Sequence, residues 1–188
     1  MKPLACLTVL LLMSCSLRRG LETDVCTSTT SLSASLASLG DGVALFRHDA
    51  MFASTGVPCG AATDRAACEA EFNRLKPVQP RNARAHGAGP LTIIITRKDS
   101  VQRLDAKSTW ADLSAFPPAA RAQAWVEFKR NLAVLCGGPN VSEGPEGVRV
   151  LVSSHEGCFG GSDILLIVSP DGAIETVREK SYPQTCVG

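Results

Sequence analysis

Val148-Arg149-Val150-Leu151-Val152-Ser153, then Ile164-Leu165-Leu166-Ile167-Val168 and Ser169-Pro170-Asp171-Gly172, is the stretch that decides the fold. Val148, Val150 and Val152 alternate with Arg149 and Ser153. Successive strand residues point to opposite faces, so one face of this strand is buried and the other wet. The run 164–168 is apolar throughout and reads as a central strand. Ser-Pro-Asp-Gly is a tight turn, because proline presets one backbone angle and glycine accepts a positive one. It makes 163–180 a β-hairpin. Helical patterns lie before this meander, which implies an α+β fold: an antiparallel sheet of about four strands with helices packed on one face.

Upstream, Pro118 opens a helix predicted through Leu135, since proline is tolerated in a first helical turn. Trp125, Phe128, Leu132 and Leu135 form one apolar face, with Glu127, Lys129 and Arg130 lying away from it. Gly137-Gly138-Pro139 ends it. Residues 109–116 suggest a short helix stopped by Pro117-Pro118. Leu91-Thr-Ile-Ile-Ile-Thr-Arg97 is a buried, β-branched strand. Residues 77–90 form a loop rich in Pro, Gly and Arg around His86. Thr63 is the expected cap of a helix over 63–75, with Asp64 in its positive first turn. A short strand is expected over 42–48. Leu32, Leu36 and Leu39 mark an amphipathic helix over 27–39, closed by Gly40.

At the amino terminus Lys2 precedes an apolar run from Leu4 to Met13 and a small Ser14. The run is too short to span a bilayer, which takes about 20 apolar residues, and has the pattern of a signal peptide. Leu12-Met13-Ser14-Cys15 resembles the lipobox of bacterial lipoproteins. That resemblance implies cleavage before Cys15 and attachment of diacylglycerol and a further acyl chain such as palmitate. With Ser16 following, it also implies delivery to the outer membrane. The expected organisation is a signal peptide over 1–14, a lipid-anchored tether over 15–25 and one disulfide-stabilised domain over 26–188. The alternative is an ordinary signal peptide that releases a soluble protein.

Removing residues 1–14 takes away Lys2 alone and leaves 18 Lys and Arg against 18 Asp and Glu. This balance, without a basic stripe, speaks against nucleic acid as a partner. Cys6 leaves with the leader and Cys15 is the lipid site. Cys26, Cys59, Cys68, Cys136, Cys158 and Cys186 remain, an even set suited to three disulfides in an exported chain. Local geometry favours Cys59–Cys68 across a Gly-Ala turn and helix start, Cys136–Cys158 between helix end and strand end, and Cys26–Cys186 tying the termini. No cysteine spacing fits a zinc knuckle, so neither metal nor cofactor is expected.

The stretch 91–177 resembles small lipoproteins of myxobacteria. It shares a strand ending in Thr96-Arg97-x-Asp99, a short helix with Trp110 and Leu113, and a longer helix ending at Cys136. The strands around Cys158 and the Ser-Pro-Asp-Gly hairpin complete the outline. The resemblance implies an envelope address and this fold, and brings no assigned activity.

Catalytic readings are weak. Ser153-Ser154-His155-Glu156 with Asp163 suggests a serine hydrolase, but consecutive strand residues diverge and no G-x-S-x-G elbow is present. His48-Asp49 has no third group, and His155 lacks a second histidine at i+4. Gly157 to Ser162 lacks the Gly-Lys-Ser/Thr of a phosphate loop. The sequence therefore points to a non-enzymatic, membrane-anchored envelope protein that binds an envelope protein or cell-wall component, or that has a structural role in stabilising an assembly. The rival is a secreted or periplasmic hydrolase using His155 or His48. A third option, a periplasmic inhibitor or ligand-binding module, requires an apolar concavity between the sheet and the 118–135 helix.

Overall fold

A computed structural model describes residues 32–47, 49–78, 90–134, 140–156 and 160–182. The fold is α+β and mostly sheet. Strands β1 (Gly42–Arg47), β2 (Ala50–Gly56), β3 (Leu91–Arg97) and β4 (Ser100–Leu104) form an antiparallel sheet in the order β2-β1-β3-β4. Strands β5 (Ala133–Val134), β6 (Val141–Gly144), β7 (Gly147–Glu156), β8 (Gly160–Val168) and β9 (Ile174–Tyr182) form a second. Its order is β5-β7-β8-β9, with β6 also pairing β7. The expected C-terminal meander is β7-β8-β9, and the first sheet is a separate layer.

Two helices organise the layers: α1 (Arg65–Leu75) and α2 (Pro118–Arg130). The two central strands of the first sheet, β1 and β3, are buried on both faces, which explains the unbroken apolar run of β3. Val43, Leu45, Ile93 and Ile95 pack with Ala120, Ala124 and Phe128 of α2. Ala44, Phe46 and Ile94 face the other way, onto Phe72 of α1 and the Cys59–Cys68 pair. Opposite this contact, α2 presents Ala122 and Val126 to Val150, Val152, Leu166 and Val168 of the second sheet. The layers thus run α1, first sheet, α2, second sheet. The outer face of the second sheet carries the half-buried Leu151, Leu165 and Ile167.

Several details differ from the sequence reading. α2 ends at Arg130 rather than Leu135. Asn131 adopts a left-handed conformation (φ 51°) and its N–H closes on the Glu127 carbonyl at 3.1 Å. The chain then turns to lay β5 against β7. Glu127 is not on a solvent face but 2 % exposed, because both sides of α2 are covered. It accepts a 2.5 Å ion pair from Arg47 Nη2 at the end of β1, and Gln123 Nε2 donates to it at 3.3 Å.

The cap of α1 is Asp64 rather than Thr63: its carboxylate accepts from Ala67 N–H at 2.9 Å. Asp99 Oδ1 in turn accepts from the Thr63 and Asp64 N–H groups at 2.6 and 3.2 Å. In the region of 109–116 the helical residues are a 3-10 turn, Ala111–Leu113. Residues 32–35 are helical and Ala37–Leu39 form another 3-10 turn. Leu32, Leu36 and Leu39 are buried there as the periodicity predicts.

Removing Arg47 takes a cationic partner from the buried Glu127 carboxylate. Arg47→Met is expected to destabilise the domain by about 3 kcal/mol in urea unfolding. The double variant Arg47→Met with Glu127→Met should cost less than the two single changes summed. The Asp99 carboxyl is held below the ordinary aspartate range, first by the backbone N–H of Asp64 and then by that of Thr63. Its contribution is therefore complete above the unfolded aspartate value of about 3.9 and is lost as pH falls through the lower folded value. Asp99→Asn should flatten the acid limb of stability measured by circular dichroism between neutral pH and about pH 2.

Candidate functional site

The two tryptophans of the chain meet where α2 approaches the second sheet. Trp110 precedes the 3-10 turn, whose start is fixed by Thr109 and Asp112. The Asp112 carboxylate accepts from Thr109 N–H at 2.6 Å and from its hydroxyl at 2.8 Å. These bonds, the backbone one first, lower the Asp112 pKa. Trp125 lies on α2, and the two rings pack tilted with centroids 5.5 Å apart. Their indole N–H groups both reach the β8–β9 turn, Trp110 Nε1 to Pro170 O at 3.0 Å and Trp125 Nε1 to Gly172 O at 2.8 Å.

The turn is built to receive them. Gly172 N–H closes on Ser169 O at 2.9 Å, and the Ser169 hydroxyl donates to Asp171, which lowers the Asp171 pKa. Gly172 has φ +90°, and a Cβ there would lie 2.6 Å from Trp110 Cγ. Glycine is thus required twice, for its conformation and for the ring above it.

Beside this clamp lies a cleft of about 380 Å³. Trp110, Phe116, Pro118, Val148, Val168 and Pro170 give it apolar walls; Ser114, Ser169, Arg121 and Glu143 supply its polar side chains. Arg121, in the first turn of α2, stacks over the Trp110 ring with its guanidinium carbon 3.7 Å from the centroid. Its Nη2 donates to Trp110 O at 2.7 Å. Burial lowers the pKa of this guanidinium. Glu143 is exposed on β6, at the cleft's opposite wall.

The cleft lies at the amino-terminal end of α2, between the segment 110–121 and the turns at 143–148 and 168–170. Its polar residues were not singled out beforehand. Trp110, Arg121, Glu143 and Pro170 come from four separate stretches, so no local motif joins them. The available signal was compositional, two tryptophans flanking one arginine in a chain otherwise poor in aromatics.

Among the residues singled out from sequence, Cys59 and Cys68 form a disulfide with Cα atoms 5.8 Å apart, both buried on the outer side of the first sheet. Cys59 takes φ 60°, and its N–H donates to the buried Thr96 hydroxyl at 3.2 Å. Cys15, Cys26, Cys136, Cys158, Cys186, His48 and His86 lie outside the described residues. So does the side chain of His155, whose backbone pairs with Gly161 in β7. Ser153 stands opposite Asp163. Asp163 accepts a 2.5 Å bond from the Tyr182 hydroxyl, which raises the tyrosine pKa. Among the described residues no three His, Cys, Asp or Glu side chains are grouped to hold a metal ion, and no helix is long and apolar enough to cross a membrane.

Comparison with known proteins finds no matching family model, curated protein or solved structure. What fold and site define is a disulfide-stapled α+β domain with a tryptophan-clamped cleft.

Gly172→Ala tests the clamp. Strain at a positive φ together with the Trp110 contact should cost about 2 kcal/mol or more in urea unfolding. Tryptophan emission of the folded variant should move to longer wavelength as the turn lifts from the rings.

Proposed function

We propose that this chain is an exported envelope protein, held at a membrane by lipid on Cys15, whose domain has a non-catalytic binding role exerted through the cleft between α2 and the second sheet. The cleft carries the binding part of this reading: apolar walls with a few polar groups, in a volume at the small end of the ligand-site range of about 300–1,000 Å³. The Leu-Met-Ser-Cys segment, similar to a lipobox, carries the anchoring part. Two or more acyl chains hold a domain at a bilayer stably where one is marginal. The likeness to myxobacterial lipoproteins supports the same outer-membrane address.

Growth of a Gram-negative host expressing the full chain on radiolabelled palmitate tests the anchor. Label should appear on the protein and vanish in Cys15→Ala; label that survives this change overturns the anchoring. For the binding role, a photoreactive amino acid replaces Ser114 in the cleft or, as a control, Glu179 on the exposed β9. Adducts in intact cells should form from position 114 and not from 179. Equal capture from both, or none from 114, overturns binding through the cleft.

A further inference from the structure

Arg121 lines the cleft with one guanidinium nitrogen that no described residue engages. It forms no ion pair with any described residue, Glu143 included, although the two line the same cleft. One guanidinium nitrogen, Nη2, is used on the Trp110 carbonyl. Nε is buried and without a hydrogen-bond partner. Nη1 makes no hydrogen bond to a described residue and is not buried. A buried polar atom left unmatched destabilises a fold, and a partly desolvated cation does so more than an exposed one. Stacking on Trp110 offsets part of that.

The geometry points to a ligand for this cleft: a small apolar monocarboxylate, its carboxylate on Nη1 of Arg121 and its apolar body against Phe116, Val148, Val168 and Pro170. This rests on the cleft being the binding surface. The chemistry is specific in three ways. A guanidinium pairs with a carboxylate through charge-assisted hydrogen bonds, stronger than those to a neutral amide. The walls desolvate an apolar body and offer a hydrophilic one little. The apolar walls offer nothing to solvate a second anionic group, which disfavours phosphate and dicarboxylates relative to a singly charged acid.

Three probes separate these features on the full chain in detergent, with the two tryptophan indole N–H signals read by NMR. 3-Phenylpropionate should shift the Trp110 signal in a saturable way and leave that of Trp125 less affected. Its neutral amide, 3-phenylpropionamide, should need at least about tenfold higher concentration, the factor that 1.4 kcal/mol of charge assistance gives. Inorganic phosphate should neither shift the signal nor compete. Arg121→Gln, which removes the charge but keeps an amide donor, should weaken 3-phenylpropionate more than 3-phenylpropionamide. The acid and amide probes are compared on the unaltered protein, so a variant that fails to fold does not blunt the test.

Equal binding of acid and amide overturns the role given to Arg121 while leaving an apolar binding cleft in place. Competition by phosphate overturns the monocarboxylate class. If neither phenyl probe shifts Trp110, the inference falls, whereas crosslinking from position 114 still decides separately whether the cleft engages a partner.

Discussion

Everything in this domain depends on α2 being buried from opposite sides. Ala120, Ala124 and Phe128 form one row at i, i+4 and i+8, while Ala122 and Val126 form another. Residues 122 and 124 are about 200° apart around the helix axis, so the rows face away from each other. Alanines at 120, 122 and 124 keep the helix thin, allowing a sheet to approach on each side. A helix used in this way has little surface left for polar groups. Glu127 and Gln123 are exceptions, bonded to each other, and the charge of Glu127 is met by Arg47 arriving from the end of β1. The ion pair fixes which part of the first sheet lies over which turn of α2.

The same helix also builds the clamp and the cleft. Trp125 lies between the two rows and joins both apolar clusters, as does Trp110. Their N–H groups fasten the β8–β9 turn, so the position of that turn is set by the helix rather than by its own hairpin. Gly147, with φ +136°, lets the β6–β7 turn approach Val168 closely, where a Cβ would be 2.3 Å from the carbonyl oxygen. Both turns are thereby brought to the amino-terminal end of α2, and the gap between them is the cleft. Its walls belong to elements that are each pinned elsewhere, which makes it a preformed space.

Much of this architecture was legible in the sequence where local pattern and tertiary environment agree. The Val148-Val150-Val152 alternation, the apolar run of β8, the Ser-Pro-Asp-Gly hairpin and the continuous burial of β3 were all readable. Strands β2 and β4 were not. Ala50–Gly56 is largely exposed with no clear alternation, and the β3–β4 link places Lys98 at φ 50° without the Asn-Gly or Asp-Gly pair that announces such a turn. The end of α2 is hidden in the sequence because apolar residues at 132 and 135 continue a helical period beyond Arg130. Leu132 does contribute to the core, from an extended segment. Glu127 was assigned to solvent because a single apolar face was assumed, and two-sided burial has no strong periodic signature. The cleft was out of reach residue by residue, since its lining residues come together only when the second sheet has docked on α2.

The Cys59–Cys68 bond lies on the far side of the first sheet, against α1, with the whole of that sheet and α2 between it and the cleft. The bridge closes a loop of sequence separation 9 and restrains the unfolded chain around α1. Its chemistry and that of the cleft are insulated from one another. The disulfide constrains the outermost helical layer, whereas the cleft is bounded by the innermost helix and the second sheet. The covalent staple and the cleft therefore belong to opposite ends of the stack.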